Sequence, residues 1–387
     1  MNKHHYALLT ELLTKPTAPF REEHVMGVAE RTLRIAGVPF FRDPIGNIVV
    51  GCASRSHYLR LVRERNREPL RLFIAHMDHP GFHGVRWISR QRLRVKWHGG
   101  SPIKHLTGSR VWLATLNGIL TEGKLDRVHL TKAAHGIDTA DVILAHPLTG
   151  KQPRANAIYG AFQFRAPVWR VGKKLYTKAA DDLVGVFSII DTAIELFSRE
   201  DKKQPPFLGL LTRGEEVGFI GAIGHFELGW LSGAPRPIVC ISLETSRTLP
   251  GAVIGKGPVV RLGDRRTVFS PNHLKVLTDI AQKILPKKHQ RRIMDGGACE
   301  ATAATVYGLP AIGISVPLGN YHNQGFEGAP GYRRPEGPAP EFVHLDDIEG
   351  MLKLCQGLMQ ENLPWTDPWN TQQRLMRKNL KRHKKLL

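Results

Sequence analysis

Five apolar or extended runs in this chain end directly on a histidine or an acid. LFIA leads to His76 and Asp78, LYTKAA to Asp181 and Asp182, and FLGLLTRG to Glu215 and Glu216; IVCISL leads to Glu244 and AIGISVPLGNY to His322. Imidazole nitrogen and carboxylate oxygen are donors that zinc-like ions accept, and a catalytic ion keeps one position open for water. Two ions held close together need a carboxylate between them, and their combined charge lowers the pKa of a shared water. A further carboxylate must stay off the metal, take the water's proton and pass it to the leaving amine. The adjacent pair Glu215-Glu216 can divide these roles.

Each piece alone has a plainer reading. His76-x-Asp78 fits a turn, and Asp181-Asp182 fits a helix N-cap with an acid favoured by the helix dipole. Glu215-Glu216 fits a solvated helix start, and His322 an exposed loop. Glu244 is harder to set aside, because a charge at the end of a buried run is rarely left unpaired. Position is what joins them. In open α/β sheets ligands gather at the carboxyl ends of the strands, and all five segments deliver their polar residues there.

The elements needed for this are legible in the pattern. Helical periodicity covers 2–15 and 21–37, broken by Pro16 and Pro19. Strands are predicted at 38–41, 48–50 and 70–75. From about 82 to 170 the texture becomes short β-branched and aromatic runs (VRWI, LRVKW, VWLATL, DVILA, VWRV) split by Gly and Pro, the pattern of a small all-β module. Beyond it come a helix at 182–198, a strand at 207–212, a Gly-rich helix at 218–226 and a strand at 237–243. Two strands within 252–262 follow, then helices near 271–286 and 298–306, a strand at 311–316 and a helix near 345–361. Strands alternating with helices on either side of a β-rich stretch predict one α/β domain, a mixed sheet with helices on both faces, interrupted by an all-β insert. The predicted divisions are 1–82 and 171–365 for the α/β domain, 83–170 for the insert and 366–387 for a basic tail. No period of 20–50 residues repeats, which argues against a solenoid.

Composition narrows the class. The four cysteines, Cys52, Cys240, Cys299 and Cys355, show no CxxC spacing, so neither a disulfide framework nor a thiolate metal site is indicated. No run reaches the roughly 18 apolar residues of a membrane span, and a cytoplasmic location is the default expectation. The formal charge of +21 would draw in acidic substrates or polyanions such as nucleic acid. Its two densest stretches, Arg55 to Arg71 and Arg374 to Lys385, read most simply as a solvated loop and a frayed tail.

The segments DPIGNIV (43–49), IAHMDHPGF (74–82), TKAADDLVG (177–185), RGEEVGFIGA (213–222), SLETS (242–246), GKGPVV (255–260), GACEA (297–301) and ISVPLGNYHN (314–323) resemble the tetrahedral, or glutamyl-type, dinuclear metallo-aminopeptidases, also labelled endoglucanases. The resemblance runs through most of the chain, and that family carries its own insert where the β-rich stretch falls. It implies that Asp181 bridges two divalent ions, zinc foremost with cobalt or manganese as alternatives. One ion would also be held by His76 and Glu216, the other by Glu244 and His322. Glu215 would be the general base and acid, and Asp78 would orient His76. It further implies a cis peptide at Asp181-Asp182 and a homo-oligomer, up to a twelve-subunit tetrahedral assembly. The chain departs from the family's usual residues at Glu244, His79-Pro80, Cys299-Glu300 and the stretch after His322.

The function expected is therefore removal of N-terminal residues from peptides. A carboxypeptidase, dipeptidase or N-acyl deacylase would use the same centre. A polyanion-binding protein without activity is the alternative of another class, carried by the charge. A glycoside hydrolase could draw on the acids but leaves the two histidines without a purpose. Lys178 is open to two readings, a charge near the ions or a plain surface lysine. The tryptophans in and near the β-rich stretch read as packing or subunit contacts.

Overall fold

The computed structural model describes residues 1–200, 204–325 and 337–387. Its centre is an eight-stranded mixed sheet. The order across the sheet is Phe40–Arg42, Ile48–Val50, Phe207–Thr212, Leu70–His76, Ile238–Arg247, Ala311–Leu318, Val259–Asp264 and Gln290–Met294. The four middle strands, from Phe207–Thr212 to Ala311–Leu318, are mutually parallel. Parallel strands are covered on both faces, so their side chains are apolar without alternation. Every residue of Leu70–His76, Phe207–Thr212 and Ala311–Leu318 is buried accordingly. Because the four run the same way, their carboxyl ends share one edge.

Helices form two groups against this sheet. Lys3–Thr14, Glu23–Ile35, Leu183–Phe197, Pro271–Ile284 and Leu345–Leu358 pack in a connected layer, while Ile220–Glu227 and Glu300–Val306 pack together elsewhere against the sheet. Between Leu70–His76 and Leu183–Phe197 the chain forms a closed six-stranded barrel from Gly81–Ser89 to Tyr159–Phe162. Phe82, Val95, Trp97, Leu113, Val142 and Phe162 fill it.

Several local expectations change. Val168–Val171 does not join the barrel; it pairs with Lys174–Thr177, which pairs with Glu341–His344 in a separate three-stranded sheet. The stretch read as a solvated loop begins with the helix Arg55–Arg63. Ser54 caps it by accepting from the His57 amide, and Tyr58, Leu61 and Val62 fall on one buried face at helical spacing. Only one strand, Val259–Asp264, forms where two were expected near 252–262. The stretch read as a frayed tail contains the helix Asn370–His383, with no buried residue. All four cysteines are free and buried, as small apolar residues would be.

Candidate metal centre

The carboxyl edge of the parallel strands brings the sequence's histidines and acids together. His76 ends its strand opposite Thr212 in register, and Glu244 lies in the next strand along. Asp181 follows the strand Lys174–Thr177, and Glu215-Glu216 form a single 3₁₀ turn after Phe207–Thr212. His322 sits two residues beyond the left-handed Asn320 that ends the loop from Ala311–Leu318. Three overlapping groups result, His76/Asp181/Glu244, Asp181/Glu216/His322 and His76/Glu215/Glu216, with ligand atoms within 4.8 Å of one another in each.

The geometry offers a pairing besides the expected one of His76 with Glu216, which share a group. Glu244 groups with His76, because their strands are neighbours, and Glu216 groups with His322, whose Nε2 lies 3.1 Å from Glu216 Oε1. Asp181 belongs to both groups, with Oδ1 3.5 Å from His76 Nε2 and Oδ2 3.7 Å from His322 Nε2. The plainer N-cap reading holds for its neighbour. Asp182 Oδ1 accepts from the Gly185 amide at 3.1 Å and the Thr245 hydroxyl at 2.9 Å, leaving Asp181 turned to the cluster. The peptide between the two aspartates is cis.

The supports are acids that the mechanism does not consume. Asp78 accepts from the Glu215 amide at 3.0 Å and the Glu216 amide at 3.1 Å, so its carboxylate fixes that turn. His76 Nδ1 lies closer to the Asp78 carbonyl, at 3.1 Å, than to the carboxylate at 3.5 Å. Glu341, overlooked in the sequence, accepts from the amides of Ala180 (2.6 Å), Asp181 (3.2 Å) and His322 (2.9 Å). One buried carboxylate thus sets two of the loops. Its signal was available: an acid opens the apolar strand EFVH, as Glu244 ends another. Glu22 accepts from the Gly214 amide at 3.0 Å and pairs with Arg213 at 2.7 Å, and nothing in its sequence context marks it. His79 contacts the Asp181 carbonyl at 2.9 Å and Asn323 Oδ1 at 3.2 Å, tying the loop of Asp181 to the one that carries His322. Farther back, Asn47 of the DPIGNIV segment accepts from the Arg213 amide at 3.2 Å. The barrel also reaches the cluster. A Cβ at Gly100 would stand 2.1 Å from His322 Nδ1, so only glycine allows that approach.

Electrostatics mark the cluster as short of positive charge. Burial pushes Glu215 well above the ordinary carboxylate range, and the charges of Glu216, Glu244 and Glu300 add to this against His76. Burial pushes Glu244 up to about 8, although Arg261 opposes it. Burial disfavours a charged His76, yet Glu215, Asp181 and Asp78 outweigh that and hold its pKa well above the usual value. Lys178 does not supply the missing charge. It is buried rather than on the surface, its Nζ lies 4.7 Å from the Trp112 ring of the barrel, and burial lowers it to about 7.

The donor set fits a divalent pair. Asp181 Oδ1, Glu216 Oε1, Glu244 Oε1 and His322 Nε2 are buried and accept or donate no hydrogen bond. Buried polar atoms are ordinarily satisfied, and four orphans converging from four segments point to a partner that is not protein. Both oxygens of Glu300 are orphaned as well.

The family model of the M42 glutamyl aminopeptidases matches residues 59–326. The chain belongs to the M42 glutamyl aminopeptidase family. It is thereby a metal-dependent peptide hydrolase, a metallo-aminopeptidase. Solved structures share the fold at low identity. A TET aminopeptidase from the marine sediment archaeon Thaumarchaeota archaeon SCGC AB-539-E09 is 18% identical with a TM-score of 0.71, over 93% of this chain and 98% of that one. An aminopeptidase of Desulfurococcus kamchatkensis is 21% identical with a TM-score of 0.69, over 94% and 96%. The TET1 peptidase of Pyrococcus horikoshii, which assembles into a tetrahedron or a large octahedral shell, is 21% identical with a TM-score of 0.68, over 92% and 99%. No helix among the described residues is long and apolar enough to cross a membrane.

Proposed function

We propose that this M42 chain removes N-terminal residues from peptides with Glu215 as proton carrier beside two divalent ions. His76, Asp181 and Glu244 would hold one ion, and Asp181, Glu216 and His322 the other. The convergence of four orphaned buried donor atoms carries this reading. When bound, the ions supply Lewis acidity toward the scissile carbonyl and the attacking water. Imidazole with carboxylate suits zinc best, and cobalt or manganese accept the same donors.

The chain's own residues do the rest. Asp78, through the amides of Glu215 and Glu216, aims one carboxylate of the pair at the ions and leaves the other free. Glu215 takes the proton of the water attacking the carbonyl carbon. It returns that proton to the peptide nitrogen as the C–N bond breaks, giving a carboxylate and a free amine. The cavity beside Glu244 is lined by Arg247, Arg261, Gly297 and Tyr321. The glutamyl description of the family makes an acidic N-terminal side chain the first substrate to test.

We read the barrel as an inserted domain and the chain as a subunit of a homo-oligomer, the latter supported by the assembly of the Pyrococcus relative. Four free buried cysteines support a reducing, cytoplasmic setting. The test is a panel of Glu-, Leu- and Lys-p-nitroanilides with free and acetylated amines, assayed before and after chelation and metal return. Cleavage of the free-amine Glu substrate, lost and regained with the metal, is expected. Equal release of p-nitroaniline from the acetylated substrates would assign an endopeptidase instead, and release of acetate without p-nitroaniline would assign a deacylase.

A further inference from the structure

The helix Asn370–His383 has no buried residue, and among the described elements its one extensive contact is with the turn that follows it. Its attachment is at its start, where Trp369 Nε1 donates to Asn272 at 2.9 Å and Lys275 lies 5.6 Å from the Trp369 ring. A helix that buries no residue within this chain leaves its side chains open to meet something else. Its composition shows what. Arg374, Arg377, Lys378, Lys381 and Arg382 are joined by Lys384 and Lys385, and no acid follows Asp367.

Spacing turns these cations into a face. At about 100° per residue, Arg374, Arg377, Lys378, Lys381 and Arg382 fall within an arc of about 140°, along about 12 Å of axis. Like charges that close repel, so the arrangement is favourable only opposite an anion carrying several charges at similar spacing. A nucleic-acid backbone has that spacing, one charge per about 1.7 Å of duplex axis. An anionic membrane would need a broad apolar face with large side chains beside the basic one. Here only Leu375, Met376 and Leu380 are exposed apolar residues of the helix. Asn379 and His383 separate Leu375 from the other two, and the helix has no aromatic residue.

We propose that the helix Asn370–His383 is a nucleic-acid docking arm that binds the phosphate backbone through Arg374, Arg377, Lys378, Lys381 and Arg382 without reading sequence. It concentrates the peptidase where nucleic acid is, and it works independently of the metal centre.

The test uses the full chain and fluorescein-labelled 20-mers of mixed sequence, single-stranded and duplex, in anisotropy titrations over a salt series. Five phosphate contacts give log K falling against log salt with a slope of about −4.5 for duplex and about −3.5 for single strands. Changing the five residues together to Gln should weaken binding by more than about tenfold at 100 mM salt and flatten the slope, with peptidase turnover unchanged. Met376→Gln with Leu380→Gln should bind as the unaltered chain does. The proposal is overturned if the unaltered chain fails to bind, or if the five-residue variant keeps affinity and slope. It is also overturned if the Met376/Leu380 variant is the one that loses binding, or if phosphatidylserine vesicles are bound and oligonucleotides are not.

Discussion

Replacing Glu215 with Gln is expected to lower kcat by about 10²–10⁴-fold, the usual share of a general acid–base, while metal content and melting temperature change little. Glu215 occupies a place where a carboxylate is costly. It is buried, and Glu216, Glu244 and Glu300 crowd it with like charge. Its oxygen lies 3.8 Å from His76 Nε2, while its amide is tied to Asp78 at 3.0 Å. The glutamine keeps the shape and the amide bond to Asp78 but cannot accept a proton. Removing a crowded negative charge also relieves repulsion, so no loss of stability follows. Glu216→Gln should behave differently, losing metal together with activity, because Glu216 Oε1 is an orphaned atom facing His322. Full activity in Glu215→Gln would remove the proton carrier from the mechanism.

A second large effect is expected in the pH dependence of stability without metal. Burial pushes Glu22 and Glu300 each up to about 7 from an ordinary 4.5, with Asp78 adding to it. Unfolding returns both to the ordinary value. Between these limits the folded chain holds protons that the unfolded chain has released, so the stability that these two groups contribute is greatest below about pH 4.5 and declines as pH rises through about 7. Each fully displaced carboxyl is worth about 3 kcal/mol over that window. The chelated protein should therefore lose melting temperature from pH 5 to pH 8, and Glu300→Gln should remove part of the loss. Adding a divalent ion should raise the melting temperature, through a stabilisation of about 2.7 kcal/mol per site at 100 times its dissociation constant. Differential scanning calorimetry at several pH values, with and without chelator, reads all of this. A chelated protein that gains stability over the same window would contradict the assignment of Glu22 and Glu300 as acids whose burial outweighs their charge partners.

Much of this centre could be read before any coordinates, for a physical reason. With no cysteine pair spaced for a thiolate site, the candidate ligands are His, Asp and Glu, and a parallel sheet gathers them where its strands end. The runs before His76, Glu215, Glu244 and His322 are apolar because both faces are covered, so each candidate site residue stands out where the apolar run stops. Which ligand meets which could not be read. Strand order, not chain order, makes Glu244 the neighbour of His76, and that order is long-range. Glu22 acts through the Gly214 amide and Arg213, which no residue pattern advertises, whereas Glu341 carries a weak signal as the acid that opens the strand EFVH. Gly100 was overlooked because its role depends on the barrel meeting His322, a contact between segments more than two hundred positions apart. The helix Arg55–Arg63 was hidden by its charge, although its three buried residues repeat at helical spacing.

The most direct measurement is anomalous diffraction from crystals of the chain loaded with zinc. Two peaks are expected, one among His76, Asp181 and Glu244 and the other among Asp181, Glu216 and His322, sharing only the aspartate. A single peak, or none within bonding distance of Asp181, would contradict the paired centre on which the catalytic reading rests.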